Sequence, residues 1–567
     1  MCAGGIAPLW GFILKNLSPW IKDLSIAVVL KTAVALILIK FFLDILLYHY
    51  THWCRGNAAG QVPPRYPSLI PYLGAALELA LDHKSFARRI SVQLAGKDYY
   101  YIQDRETLET LFKHKAMSSA IEMYAYSQYN VIGISKKAAD VIRADNSGPF
   151  PQPNPASNVL PHNRVEAVTH GVSFRGLTGP GLKPTTRRYM KGVPLKFEGI
   201  TTEWTESGDL VRFFREHVGE PTLRSILGPT MFRINPTFLD DIFEYDRVLP
   251  YFPLGLPRFL LPKAYRIRER LADHFKSWYK YARKHADPSL RDPDGDGDPI
   301  WGSELMRNRQ ALLNADHHDD DTLAHLDTGL AWASIGNVVL VTMLSVYHIF
   351  QSEELLRRVR HDLQEYLSTQ SGTIHDVDPQ HLAKEVPILS SIYAETMRMY
   401  INIYSMYSSP YEDVNLGKWV LPKGAHALVM SHPNHMDASF WNTRNGKHPV
   451  QTFWADRFMV DPCDPTSGPV NPELNKTPQQ EKPSGEQKPY FSLEGCQGAW
   501  LPYGGGHGMC PGRFLAKAII VFTSALIVSE YDLEFKEALE FTNTRYGFGI
   551  PDLKNRVPFR IRKRALR

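Results

Sequence analysis

A run near the C-terminal end, LPYGGGHGMCPGRFLAKAII at 501–520, constrains the fold more than any other stretch. Three consecutive glycines let a backbone bend sharply and approach a flat ligand closely, because they lack a Cβ. Pro511 suits the first turn of a helix and apolar residues follow it, so Cys510 stands at a helix N-terminus. Free N–H groups and the helix dipole stabilise a thiolate there. Such a sulfur suits three chemistries: an axial ligand for haem iron, a protease-type nucleophile, or, with His507, half of a zinc site. The sequence assigns no base for the second and no further ligand pair for the third.

Composition narrows the classes. With 567 residues, 44% of them apolar and 11% aromatic, the chain can bury a large core, which excludes a disordered or collagen-like chain. The net charge of +5 is spread along the chain, and no Lys/Arg run is interleaved with aromatics, so nucleic acid is not an expected partner. The five cysteines, Cys2, Cys54, Cys463, Cys496 and Cys510, form no C-x-x-C pair. They fit neither a disulfide scaffold nor a zinc ribbon, and point to a reducing compartment where one thiolate carries the chemistry.

An apolar stretch from Leu24 to Tyr48 is long enough, at about 1.5 Å per residue, to cross a hydrocarbon layer of about 30 Å. Lys31, Lys40 and Asp44 interrupt it; Lys40 and Asp44 are spaced to pair on one helix face, and Lys31 can snorkel. No small-x-small cleavage site closes the stretch, so it reads as a retained anchor rather than a signal peptide. Lys15 and Lys22 before it and Arg55 and Arg65 after it leave the positive-inside rule balanced. Pro63, Pro64, Pro67 and Pro71 then give an extended strut or, equally on composition, an ordinary surface loop. The expected organisation is a segment 1–50 with an anchor at 24–48, a strut at 51–75 and a body at 76–567.

Within the body, residues 98–114 read as a strand running into a helix, and the glycine- and proline-rich chain from Tyr124 to Pro184 reads as a long loop region. DPDGDGDP at 292–299 imitates a calcium loop, but Ser303 stands where a bidentate Glu is needed; with ADHHDDD at 315–321 it reads as a solvated connector. A helix apolar nearly all round, from near Leu323 to Phe350, is expected to run through the middle of the body. Ser334, Gly336 and Asn337 break its apolar surface. A buried Asn needs a hydrogen bond, so Asn337 either caps an internal polar network or faces a cofactor. Glu395 and Arg398 share a helix face at i, i+3. Residues 416–431 read as a hairpin turning at Pro422-Lys423-Gly424, residues 461–490 as a mobile polar insertion, and the chain closes with a helix at 512–529 and short strands. The class is mainly α with a small β part.

The run from Tyr503 to Arg513 resembles the haem-thiolate signature of cytochrome P450 enzymes: an aromatic seven before the cysteine, Gly506 four before it and Gly512 two after it. Glu395-x-x-Arg398 is similar to the family's E-x-x-R, and FWADRF at 453–458 resembles the segment whose arginine, here Arg457, completes a Glu-Arg-Arg network behind the haem. The three motifs come in the family's order, and the resemblance extends from Pro63 onward. Trp332-Ala-Ser-Ile-Gly-Asn337 resembles the branch containing oxysterol 7α-hydroxylases and prostacyclin synthase, while the C-P-G-R ending and long insertions resemble fungal secondary-metabolism members.

The resemblance implies the cytochrome P450 fold with an N-terminal membrane anchor, and haem b (iron protoporphyrin IX) with Cys510 as its iron ligand. Tyr503, Gly506, His507, Gly512, Glu395, Arg398 and Arg457 are implied around the cofactor, and Ser334, Gly336 and Asn337 where oxygen is activated. Four positions depart from the family pattern. Gly336 and Asn337 replace its acid-alcohol pair; Gly508, with His507 one place earlier, replaces the Arg or His that binds a haem propionate; and Tyr407 replaces a second propionate arginine. The implied function is a monooxygenase oxidising an apolar terpenoid, meroterpenoid or sterol-like substrate in fungal secondary-metabolite biosynthesis. It would be anchored in the endoplasmic reticulum bilayer by a single pass, with its catalytic domain cytosolic, and receive NADPH electrons through cytochrome P450 reductase and cytochrome b5. The missing acid-alcohol pair leaves a redox-neutral isomerase or dehydratase of the prostacyclin synthase type as the alternative, and a haem carrier without catalysis as a third reading.

Overall fold

The computed structural model describes residues 26–55, 91–94, 97–370, 372–417, 419–474, 488–542 and 547–565. They form two units: one takes in the chain up to Ile102 together with Asp413–Ala427, and the other comprises Gln103–Glu412 and Leu428–Arg567.

In the first unit the helix Ile26–Arg55 runs past Tyr48 and exposes Val34, Leu36, Ile39, Phe42, Leu43, Leu46 and Leu47. Lys40 pairs with Asp44 at 2.5 Å, as their spacing predicts. Residues 51–55 of the expected strut belong to this helix instead; the rest of the strut and the boundary at 76 lie outside the described residues. Ser91–Leu94 pairs antiparallel with Lys97–Tyr101. The hairpin expected across Pro422-Lys423-Gly424 is displaced: Val414–Asn415 pairs with Val420–Leu421, and the Pro422 turn follows, with Gly424 at φ +74.

The second unit is helical around a central helix in two parts, Asp320–Ile335 and Val338–Gln351, parted at Gly336 and Asn337. Asp320–Gln351 is long and apolar enough to cross a membrane by length and composition, yet it is mostly buried inside the protein. Val338–Gln351 packs against Pro387–Tyr400 and Arg513–Glu530, and these three helices supply much of the core. Each fully buried aliphatic side chain there contributes about 1.5–3 kcal/mol.

The acidic segments are helix starts and ion-pair partners, not solvated connectors. Asp319 caps the central helix by accepting the Thr322 N–H at 2.8 Å, while Arg283 and Lys276 hold Asp320 and Asp321, each at 2.7 Å. In the calcium-like loop Arg188 reaches Asp296 at 2.6 Å, Arg187 reaches Asp294 at 2.9 Å and Arg307 reaches Asp298 at 2.6 Å. Guanidinium groups stand where a cation was imitated.

The expected loop region at 124–184 is also largely helical: Lys136–Ala144, Val165–Leu177 and Leu182–Phe197 are helices, and irregular chain is concentrated at 145–164. Burial overrides weak propensity here. Gly176 lies so close to Leu305 that a Cβ would stand 2.8 Å from it, and Tyr189, Val193 and Phe197 are buried around Pro194. At 461–474 the insertion is packed against the body: Ser467 and Val470 are buried, and Asn442 Nδ2 donates to the Thr466 and Gly468 carbonyls, each at 2.8 Å. Residues 475–487 lie outside the described residues.

Short strands complete this unit. Tyr531–Phe535 pairs with Phe559–Lys563, which pairs with Thr205–Ser207; Asp532 faces Arg562 and Glu534 faces Arg560 across the first ladder. The strand Asn402–Ser408 takes Ser118–Ser119 at one end and Phe548–Gly549 at the other.

Candidate active site around Cys510

The segment from Tyr503 to Cys510 is shaped from the protein side. Cys510 N–H donates to the Tyr503 carbonyl at 3.0 Å, closing the loop. Gly504 and Gly506 have φ of +71° and +58°, which L side chains rarely adopt. The sequence offers the glycines as room for a flat ligand, but their close approach is to Phe112: a Cβ on Gly505 would strike the Phe112 ring, and one on Gly506 would stand 3.0 Å from its carbonyl. Buried Tyr407, standing where a propionate arginine was expected, both accepts the Gly505 N–H and donates to the Gly505 carbonyl, each at 3.0 Å.

Cys510 precedes the helix Arg513–Glu530, whose cap is Gly512. Cys510 is exposed, yet burial pushes its thiol up. A hydrogen bond from the Gly512 backbone and the Arg513 charge oppose the rise without cancelling it. The helix start alone therefore does not yield the stabilised thiolate that the sequence suggests. Positive charge on a bound group would supply the remaining stabilisation.

Other groups converge behind the loop. Tyr503 and Tyr393 share a hydroxyl hydrogen bond of 2.7 Å, and Trp500 Nε1 donates to the Ala394 carbonyl at 3.1 Å. Fully buried His435 accepts the Leu501 N–H on Nε2 at 2.9 Å, so Nδ1 carries the proton and donates to the Ile401 carbonyl at 3.2 Å. Burial and the neighbouring Arg398 push His435 down to about 3, which keeps it neutral. His435, Tyr393 and Phe112 carry no sequence signal; their partners are 66, 110 and nearly four hundred residues away.

Glu395, Arg398 and Arg457 come together with no side-chain exposure. Arg398 grips both Glu395 oxygens, at 2.7 and 2.8 Å, and Arg457 Nε reaches the same two at 3.0 and 3.1 Å. Burial raises the Glu395 pKa, but the two guanidinium groups outweigh it and hold the carboxyl below its usual range. The second positive charge is absorbed by carbonyls: Arg398 donates to His435 and Val450, and Arg457 to Asn442 and Pro449.

His507 is set edge-on to Phe150, with ring centroids 4.5 Å apart, and its Nε2 is buried without a partner. Phe150 is held in turn by Arg164, which donates to the Pro151 and Phe150 carbonyls at 2.7 and 2.5 Å. His507 makes no hydrogen bond to the Cys510 sulfur, so no Cys-His nucleophile pair forms. Among the described residues no group of three His, Cys, Asp or Glu is placed to hold a metal ion, so the zinc alternative gains no further ligands. An exposed cysteine in the same loop as an orphaned imidazole nitrogen fits an iron porphyrin, which needs one axial sulfur and partners for its carboxylates.

At the central break, Ser334 donates its hydroxyl to the Leu330 carbonyl at 2.8 Å, Gly336 has no side chain, and Asn337 Oδ1 accepts the Ile550 N–H at 3.1 Å. No titratable side chain stands at these three positions.

A mostly helical body with a cysteine loop before a buried helix and a buried carboxylate between two arginines defines the haem-thiolate class. The family profile described as Cytochrome P450 matches residues 234–446. The chain is 30% identical to "Cytochrome P450 monooxygenase efuG" of Hormonema carpetanum over 71% of this chain and 73% of that protein. It is 28% identical to "Cytochrome P450 monooxygenase fsoE" of Humicola fuscoatra over 92% of each, and 24% identical to "Cholesterol 7-alpha-monooxygenase" of Cricetulus griseus over 90% of this chain and 95% of that one. The solved structure "Retinoic acid bound cyanobacterial CYP120A1" shares the fold, with a TM-score of 0.53, 15% identity, and coverage of 89% of this chain and 100% of that one. The chain belongs to the cytochrome P450 family. It is a haem-thiolate monooxygenase that takes haem as cofactor, electrons from a reductase and an apolar substrate.

Proposed function

We propose that this monooxygenase is anchored in the endoplasmic reticulum membrane by a single pass at 24–48, carried by the helix Ile26–Arg55, with the proline-rich segment after that helix leading to a cytosolic catalytic domain at 76–567. In this reading it oxidises a terpenoid, meroterpenoid or sterol-like substrate in fungal secondary-metabolite biosynthesis. The exposed apolar surface of that helix supports the anchor. The fungal monooxygenases and the cholesterol 7-alpha-monooxygenase among its relatives support the substrate class. Cytochrome b5 is the second electron donor in this reading.

The observation that carries the site assignment is exposed Cys510, whose backbone N–H is held by the Tyr503 carbonyl and whose sulfur is held by the Gly512 backbone. Cys510 is the iron ligand, and haem, when bound, supplies the centre at which dioxygen is activated. Tyr503, Gly506 and Gly512 hold the loop that presents the sulfur. His507 offers its unpartnered Nε2 to a carboxylate of the cofactor. Glu395, Arg398 and Arg457 brace the chain behind it, and Ser334, Gly336 and Asn337 line the oxygen side.

The reduced carbon monoxide difference spectrum tests the ligand: a band at about 450 nm supports it, and one at about 420 nm overturns it. NADPH dependence tests the reaction. Rearrangement of a hydroperoxide without NADPH or reductase would instead support the redox-neutral isomerase or dehydratase, which the untitratable positions 334, 336 and 337 favour.

A further inference from the structure

The break in the central helix is fastened from two sides. Trp332 Nε1 donates to Asp246 Oδ1 at 2.8 Å, and the indole lies against Gly336, where a Cβ would stand 3.4 Å from Nε1. One residue further, Asn337 Oδ1 accepts the Ile550 N–H at 3.1 Å. A backbone N–H only donates, so the amide atom facing Ile550 is the oxygen, and the orientation of the Asn337 side chain follows from chemistry.

Gly549 makes this contact possible. Its φ is +123°, and a Cβ at that position would overlap Asn337 Oδ1. The turn is tied on its other side to the strand Asn402–Ser408: Gly549 faces Asn402, Phe548 faces Ile403, and Tyr404 N–H donates to the Gly547 carbonyl at 3.1 Å. Asn337 thus joins a C-terminal turn to the central helix across 213 residues of sequence. Its oxygen is committed, and its Nδ2 has no hydrogen-bond partner among the described residues. An amide nitrogen in that position donates and does not accept.

Resting on the reading that Ser334, Gly336 and Asn337 line the side where oxygen is activated, which is also where a substrate to be oxidised lies, we infer that Asn337 is a latched donor. The Ile550 N–H fixes its carbonyl, Gly549 leaves room for it, and the NH2 group selects a substrate with an acceptor oxygen, a ketone or hydroxyl, over the parent hydrocarbon. Asn337 is a positioning and specificity residue in this role, because its polar surplus is a hydrogen bond offered in one direction.

The full-length holoenzyme and the variants N337D, N337L and G549A test it with two readouts. Hydrogen exchange reports the Ile550 amide: the parent and N337D, whose carboxylate still accepts, keep it protected, while N337L and G549A lose protection about tenfold or more. Equilibrium dialysis with menthone and menthane reports the donor. The parent prefers the ketone by about tenfold, the scale of one neutral hydrogen bond, and N337D and N337L bind the pair equally. Unchanged Ile550 protection in N337L overturns the latch. Equal binding of the two probes by the parent, or a preference retained in N337D, overturns the donor. The haem reading fails separately, through a C510S variant that keeps pigment and turnover, and that result leaves the exchange readout intact.

Discussion

The Tyr407 hydroxyl and the Gly505 backbone exchange two hydrogen bonds, one in each direction and both at 3.0 Å, so the hydroxyl's one proton goes to the Gly505 carbonyl. The phenol therefore serves the loop, and nothing is left over on it for a propionate. Y407F strands a buried N–H and carbonyl together, at a cost of about 2 kcal/mol. The urea midpoint falls accordingly, and haem transfers faster to apomyoglobin.

The same loop meets Phe112. G505A forces a Cβ into that ring, so it destabilises the chain. Replacing the ring with a smaller side chain makes room, and the double variant F112A/G505A recovers more than the sum of the single losses predicts. A double-mutant cycle in urea measures that coupling.

Glu395 is held below the usual carboxylate range by Arg398 and Arg457. Its contribution is fully present above the ordinary glutamate pKa and is lost as pH falls through the depressed folded value. E395Q removes this acid-limb dependence, seen in urea midpoints between neutral pH and about pH 3. At neutral pH, E395A leaves two buried cations facing each other and costs more than R457A; about 3–5 kcal/mol is the scale for breaking such a group.

His435 titrates in the same sense over a higher window. Its folded pKa is pushed down to about 3 by burial and Arg398. The unfolded chain takes up a proton below about pH 6.5, so stability declines from there toward the folded value, by at most about 1.4 kcal/mol per pH unit for one group. H435Q removes one proton's worth of that slope between about pH 6 and 5, measured as the pH dependence of the urea midpoint.

In the loop 292–299, Asp294, Asp296 and Asp298 are paired with Arg187, Arg188 and Arg307. Calcium or a chelator therefore leaves the melting temperature unchanged. R188Q lowers it, because Asp296 is buried and loses a partner at 2.6 Å.

These particulars show what a sequence exposes. Glu395 and Arg398 are one helical turn apart, and Arg457 sits in a recognisable aromatic run, so their meeting is legible in the chain. Arg188 and Asp296 are 108 residues apart, as Leu501 and His435 are 66 apart, and no local pattern announces either pair. The helices Val165–Leu177 and Leu182–Phe197 contain Gly171, Gly176 and Pro194, residues that argue locally for loops; burial decides otherwise. Asn337 is visible as a polar interruption, but the identity of its partner depends on a turn over two hundred residues away.

Because Phe112, Tyr407 and the Tyr503 carbonyl mould the segment before Cys510, its contour is inherited from the polypeptide. Cofactor loading then resembles insertion into a finished mount: the ordering entropy of that segment is spent during folding, and binding need not supply it again.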